Sequence, residues 1–348
     1  MKRIATLDGW RGIAIALVLF DHVQHALLYR YMRPWTQTGT HGVTIFFVLS
    51  GFLITSNLLK GPGDLKRFYI RRFFRLMPAA WTYLAVLLFI DSLTHIHATS
   101  LAEVLACVLF YRNFFIASAP SLAGHFWSLS IEEQFYMFWP CILLFAGARR
   151  CRWIAAAGAV ACAAVRWIFW AHYNHDAIDL QTQVRADALL VGCLLALLFS
   201  EARIRAAAAR WSKFWTLPAL AALLCGMAFF HRIPPLFECV AIAGLIAASV
   251  LHPRSIFSRP LAFAPLAWLG TVSYSFYLWQ ELFMPFRSLW ALCLAMPLVA
   301  LCSYYLIERP STRFGHRLTS APAPGISGNA APPPLAEQTE AAAPASNS

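Results

Sequence analysis

Residues 42–59 read GVTIFFVLSGFLITSNLL, eighteen consecutive positions without a charged side chain. Wound as an α-helix at 1.5 Å per residue, that run is about 27 Å long, close to the thickness of the hydrocarbon layer of a bilayer. Lipid offers no partner to a backbone N–H or C=O, so a segment of this kind crosses as a helix. Comparable apolar segments recur, and ten are long enough to span: about 11–30, 42–59, 79–97, 126–148, 153–171, 184–200, 214–230, 235–251, 264–285 and 288–307. The run 101–118 is broken by Glu103, Arg112 and Asn113 and is expected to be re-entrant or interfacial. The predicted fold class is therefore all-α, a polytopic membrane helix bundle of about ten transmembrane helices.

Composition points the same way. Only 13% of the 348 residues are charged, against about 25% in a soluble globular domain, and the mean hydropathy is +0.59. A net charge of +12 raises nucleic acid as a partner, but the basic residues stand in short clusters between apolar runs rather than along one polar face. The clusters are Lys60, Lys66, Arg67, Arg71, Arg72 and Arg75; then Arg149, Arg150 and Arg152; then Arg203, Arg205, Arg210 and Lys213. Ten crossings with the N-terminus inside put all of them on the cytoplasmic side, as the positive-inside rule requires. An eleventh crossing at 101–118 would carry Arg149, Arg150 and Arg152 outside. The expectation is an integral protein of a bacterial inner membrane with both termini cytoplasmic. Lys2 and Arg3 lead into an uncleaved first helix, because Arg11 interrupts the apolar stretch and further crossings follow.

A membrane domain is expected over 1–315. The Ala, Pro, Gly and Ser composition beyond it predicts a disordered cytoplasmic tail over 316–348. No internal repeat is evident. The nine cysteines lie mostly inside apolar runs without metal or redox spacing, so they read as small apolar packers and no metal site is expected.

Charged groups inside such a bundle are costly and mark function or buried pairing. In RGIAIALVLFDH at 11–22, eleven residues at 100° return within about 20° of the starting face, so Arg11 and His22 share one stripe about 16 Å apart along the axis. Arg11 would sit near the cytoplasmic surface, where a snorkelling anchor is the plain alternative. His22, flanked by Asp21, would lie near mid-membrane. A histidine is suited to taking a proton from an attacking hydroxyl, because its ordinary pKa is near neutral. Asp21 or Glu133 could orient it.

The segment FYIRRFFRLMP at 68–78 reads as a short interfacial helix whose Arg71, Arg72 and Arg75 either anchor it to anionic membrane lipids or bind phosphates of a CoA donor. In HFWSLSIEEQFYMFWP at 125–140, Glu132 and Glu133 stand inside the fourth span, where lipid exposure is not credible. QVRADALLVG at 183–192 adds Arg185 and Asp187, and GTVSYSFYLWQE at 270–281 adds Ser273, Tyr274, Gln280 and Glu281. Glu132, Arg185, Asp187 and Tyr274 are the acceptor-site candidates, since together they suggest a polar interior near the outer side. No GxSxG elbow and no P-loop frame occurs.

Taken together, these elements resemble the acyltransferase-3 family of integral-membrane acyltransferases. The matching pieces are Arg11 with ten residues before His22, GVTIFFVLSGFLIT at 42–55, Arg72-Phe73-Phe74-Arg75 before Pro78, FWSLSIEEQFY at 126–136, RADALLVG at 185–192, SYSFYLW at 273–279 and IERP at 307–310. The resemblance implies a ten-helix bundle that takes acyl-CoA, usually acetyl-CoA, from the cytoplasm and acylates a carbohydrate hydroxyl. It implies that Arg11 and His22 are essential, that Arg72 and Arg75 contact CoA, and that Glu133, with Glu132 second, belongs to the site. The sequence departs from many members at Gln280, where a histidine is common. The competing expectation, from the intramembrane charges alone, is a transporter or flippase of a polar substrate.

Overall fold

Helix formation follows the apolar runs, with one correction: the short interfacial helix expected at 68–78 does not end before Pro78 but continues through it into the crossing as one helix, Leu65–Thr94. The computed structural model describes residues 4–25, 38–61, 65–94, 99–115, 121–172, 179–228 and 235–320. They form α1 (Ala5–Val23), α2 (Thr38–Lys60), α3 (Leu65–Thr94), α4 (Leu101–Val108), α5 (Phe126–His172), α6 (Thr182–Phe199), α7 (Ala202–Ala228), α8 (Pro235–Leu251), α9 (Ala264–Phe283), α10 (Met296–Ser303) and α11 (Arg309–Thr319). Among the described residues there is no strand.

Two features bring these elements to ten crossings. The long α5 is broken at Gly147, whose φ of 75° and ψ of 160° lie outside the helical region, so it forms two helices on either side of a turn beside Arg149, Arg150 and Arg152. At the C-terminal end, α10 is flanked by wider π-type turns at Ala291–Ala295 and Tyr304–Glu308 and runs without interruption into α11. With eight residues, α4 reaches only about 12 Å and cannot cross, in keeping with its polar interruptions. It is tied down instead, with Arg112 Nη2 2.6 Å from Glu103 and Gln134 Nε2 donating to Asn113 at 2.9 Å.

Five helices are by themselves long and apolar enough to cross a membrane: Thr38–Lys60, Leu65–Thr94, Phe126–Trp170, Thr182–Phe199 and Ala291–Leu318. α8 is apolar but, at 17 residues, one residue shorter than the shortest of them, and α1, α7 and α9 carry more polar side chains. The bundle turns Phe145, Trp153, Trp167 and Leu306 outward, while Trp139, Tyr83, Phe47 and Phe126 are fully buried.

Small residues set the closest seams. A Cβ on Gly51 would strike the Leu189 carbonyl, and one on Gly192 would strike the Val48 carbonyl, so α2 and α6 touch backbone to backbone. Gly270 meets Asp8 and Gly12 in the same way, joining α9 to α1. Asp8 lies beside Gly270 while His22 lies beside Glu281, so α1 and α9 run parallel. Parallel neighbours need an odd number of crossings between them. Counting the halves of α5 separately and leaving out α4, the number from α2 to α8 is seven.

The helix α11 continues to Thr319, four residues past the expected boundary at 315, and residues 321–348 of the expected tail lie outside the described residues. So do the ends of several expected spans, at 26–30, 95–97 and 229–230. α11 packs its Phe314 against Phe74 of α3 at 5.1 Å, and Arg71 Nε donates to Thr319 Oγ1 at 2.6 Å.

Candidate active site

Among the described residues, two polar clusters inside the bundle hold Arg11, His22, Arg72, Glu132 and Glu133. The first is at the end that carries the basic segments. Arg72 projects inward from α3, and its Nε and Nη2 both donate to Glu133 Oε1, at 2.9 and 2.6 Å. Its guanidinium carbon is 3.2 Å from the centre of the Tyr136 ring, and Glu132 Oε2 is 3.8 Å away. Glu132 in turn accepts from Ser50 Oγ at 2.7 Å. Arg11 pairs with Asp8 at 3.3 Å and lies within electrostatic reach of Arg75 and Glu132. The clustering follows from helical periodicity: Arg72 and Arg75 are one turn apart on α3, and Glu132, Glu133 and Tyr136 occupy little more than one turn of α5.

The second cluster surrounds Glu281 of α9. His22 Nε2 is 3.2 Å from Glu281 Oε1, and His22 Nδ1 is 2.8 Å from the Val18 carbonyl one turn earlier. A carbonyl only accepts, so Nδ1 carries the proton in that bond, and the neutral ring keeps its lone pair on Nε2. His125, Tyr83 and Tyr277 also lie within electrostatic reach of Glu281. His125 immediately precedes α5, and from it to Glu133 is eight residues, about 12 Å along the axis, which separates the two clusters. Between them Tyr274 donates to the Leu76 carbonyl at 2.8 Å, and the Tyr277 and Ser128 hydroxyls lie 2.5 Å apart.

This arrangement corrects several sequence expectations. The carboxylate at the His22 ring is Glu281, not Asp21 or Glu133. Asp21 points towards α2, where Thr38 Oγ1 donates to it at 3.4 Å, and it lies 3.7 Å from His25. Glu133 is engaged by Arg72. Arg72 itself is not an open phosphate ligand, because it is enclosed by Glu133 and Tyr136; of the three arginines only Arg71 and Arg75 stay exposed. The four acceptor-site candidates do not converge either. Glu132 and Tyr274 belong with Arg72 and Leu76. Asp187 is wholly buried, 3.0 Å from Arg166 Nη2, and its other oxygen accepts from the Ala188 N–H at 2.8 Å. Arg185 donates to the Asp179 carbonyl at 2.8 Å and lies 5.6 Å from the Trp127 ring.

Sequence reasoning noted Glu281 only as one polar residue in the 270–281 stretch and did not mark His125, His41 or Glu238. The last two form a buried pair at 2.8 Å. Glu281 had a usable signal, a carboxylate within an otherwise apolar crossing, but its distance in sequence from His22 hid the pairing.

Known proteins resemble most of the chain. Residues 4–308 match the family described as "Acyltransferase domain". The chain is 32% identical over 366 residues to YrhL of Bacillus subtilis, covering 91% of this chain and 56% of that one. It is 30% identical over 316 residues to the peptidoglycan O-acetyltransferase OatA of Listeria monocytogenes, covering 80% of this chain and 49% of the relative. The chain thus spans about half the length of the curated relatives it matches. No solved structure matches it. A family match over nearly the entire helical bundle shows that this chain belongs to the acyltransferase-3 family of integral-membrane acyltransferases.

Proposed function

We propose that this chain moves an acyl group, acetyl in the first instance, from cytoplasmic acyl-CoA to a hydroxyl of a cell-envelope or secreted carbohydrate, with peptidoglycan as the first acceptor to try. The observation that carries the reading is the His22–Glu281 pair, an imidazole with a half-buried carboxylate 3.2 Å from its ring, inside the bundle. The acceptor oxygen attacks the thioester carbonyl while His22 Nε2 takes its proton. The new O–C bond forms, the C–S bond breaks, and the proton passes to the thiolate to leave free CoA. Glu281, at 3.2 Å, favours the imidazolium that exists between those events.

Arg71 and Arg75 are the exposed arginines of this segment and meet the phosphates of the donor, with the basic helix α11 beside them. Arg11 supports the donor side, and Arg72, Glu133 and Glu132 hold the floor between donor and base. Relatives named for peptidoglycan O-acetylation support the acceptor class. The test is transfer of radiolabel from acetyl-CoA to envelope glycan in membranes carrying the wild-type chain or His22→Ala. Label is expected only with the wild type. Label that persists in His22→Ala removes His22 from the mechanism, and no label from any acyl-CoA with the wild type removes the donor assignment.

A further inference from the structure

Arg185 lies half-buried in the first turn of α6, at the end of the bundle that also holds His22. A Cβ on Gly39, in the first turn of α2, would meet the Asp21 carboxylate next to His22. Three crossings separate α2 from α6, so the two run parallel and their first turns share that end. Arg185 Nε donates to the Asp179 carbonyl at 2.8 Å, which spends one of the five N–H groups of the guanidinium. Its Nη1 and Nη2 make no hydrogen bond or ion pair among the described residues.

The carboxylates around this arginine are committed to other donors. Asp187 is 3.0 Å from Arg166 Nη2, Glu238 is 2.8 Å from His41 Nδ1, and Asp179 Oδ1 accepts from Trp170 Nε1 at 3.0 Å. Arg185 is left with a charge and a two-pronged fork that the described residues do not use. Beside it stands Trp127, also half-buried, its ring 5.6 Å from the guanidinium carbon. Trp127 packs at 6.1 Å on the fully buried Phe47, which places the pair towards the protein interior rather than towards lipid. An indole offers a broad apolar surface that suits the C–H face of a pyranose ring, and a guanidinium fork matches the two oxygens of a carboxylate.

We propose that Arg185 and Trp127 form a subsite for an acidic sugar residue, its carboxylate on Nη1 and Nη2 of Arg185 and its ring against Trp127. One guanidinium balances one carboxylate, so a second cation is not required. The subsite selects acidic glycans over neutral ones, and binding there makes and breaks no covalent bond. The proposal rests on the acyltransfer reading above for the role of the bound sugar as acceptor, but not for the binding itself.

The test is a titration of the detergent-solubilised full chain, without acyl-CoA, with methyl β-D-glucuronide and methyl β-D-glucoside, read by saturation-transfer NMR. The two sugars differ only in carrying a carboxylate or a hydroxymethyl group. The glucuronide is expected to bind the wild type roughly tenfold more tightly, the scale of charge-assisted hydrogen bonds to one carboxylate. Arg185→Gln, which keeps an N–H for the Asp179 carbonyl, is expected to abolish that preference. Trp127→Leu is expected to weaken both sugars by a similar factor. Equal binding of the two sugars by the wild type overturns the proposal, and that result needs no variant to fold. A preference that survives Arg185→Gln, or unchanged binding in Trp127→Leu, overturns it too. Tighter binding of glucose 1-phosphate than of the glucuronide assigns the fork to phosphate and overturns the carboxylate. An Arg185-dependent preference in a chain that transfers no label from any acyl-CoA upholds the subsite and removes the acyltransfer reading, and label transfer without the preference does the reverse.

Discussion

Replacing Arg72 with methionine distinguishes a strut from a ligand. In the structure Arg72 gives two hydrogen bonds to one oxygen of Glu133, faces the Tyr136 ring at 3.2 Å, and is the nearest cation to Glu132 at 3.8 Å. Its removal leaves two adjacent carboxylates inside the bundle, with Ser50 still donating to one of them. Breaking a buried pair by deleting one partner costs about 3–5 kcal/mol, and the residual exposure of 17% and 12% for the two side chains places this pair at the lower end, about 3 kcal/mol. At a factor of ten for roughly every 1.4 kcal/mol, the unfolding equilibrium of Arg72→Met moves by about a hundredfold. Arg72→Met combined with Glu133→Gln removes the orphaned charge and should recover at least about 1.5 kcal/mol of that loss.

The assay is unfolding of the detergent-solubilised protein followed with a thiol-reactive dye, for which the buried, free Cys107, Cys151, Cys193 and Cys239 are internal reporters. A wild-type melting curve for Arg72→Met, or losses that simply add in the double variant, would refute the strut and return Arg72 to the donor phosphates.

Three further outcomes follow from the packing. Gly192→Ala puts a methyl group against the Val48 carbonyl and the Phe52 N–H, backbone atoms that cannot rotate away, and should cost about 1–3 kcal/mol by the same dye assay; Gly61→Ala, with nothing within 4 Å, is the neutral control. Arg166→Met leaves the wholly buried Asp187 unpaired and should destabilise by about 3–5 kcal/mol, most of which returns with Asp187→Asn in the same chain. Asp21→Asn should keep turnover within severalfold of wild type, whereas Glu281→Gln should lower kcat roughly tenfold or more, read by acetyl transfer; equal losses would return Asp21 to the His22 ring.

The number and order of crossings could be read from the chain alone, because each crossing must satisfy its own backbone and therefore announces itself as a long apolar run. The exclusion of 101–118 was legible for the same reason: Glu103, Arg112 and Asn113 could not face lipid, and the structure gives each a partner in a segment too short to cross. Local stripes were legible too. Arg11 and His22 on one helix, or Arg72 and Arg75 one turn apart, follow from a fixed helical period.

What sequence could not decide is which stripe faces which. Glu133 and Asp21 were as good partners for His22 as Glu281 until the glycine seam of Gly12 and Gly270 set α1 against α9 in parallel and fixed their depth. The same ambiguity made Arg72 look open, since an arginine on a basic helix turns inward only when a carboxylate on another helix, here Glu133, waits at the right height. Helical periodicity acts within a segment and is written in neighbouring residues, so sequence determined the crossings and their polar faces. Contacts across helices depend on rotation and axial offset set by close backbone packing, and so only the tertiary structure decided that Glu281 meets His22.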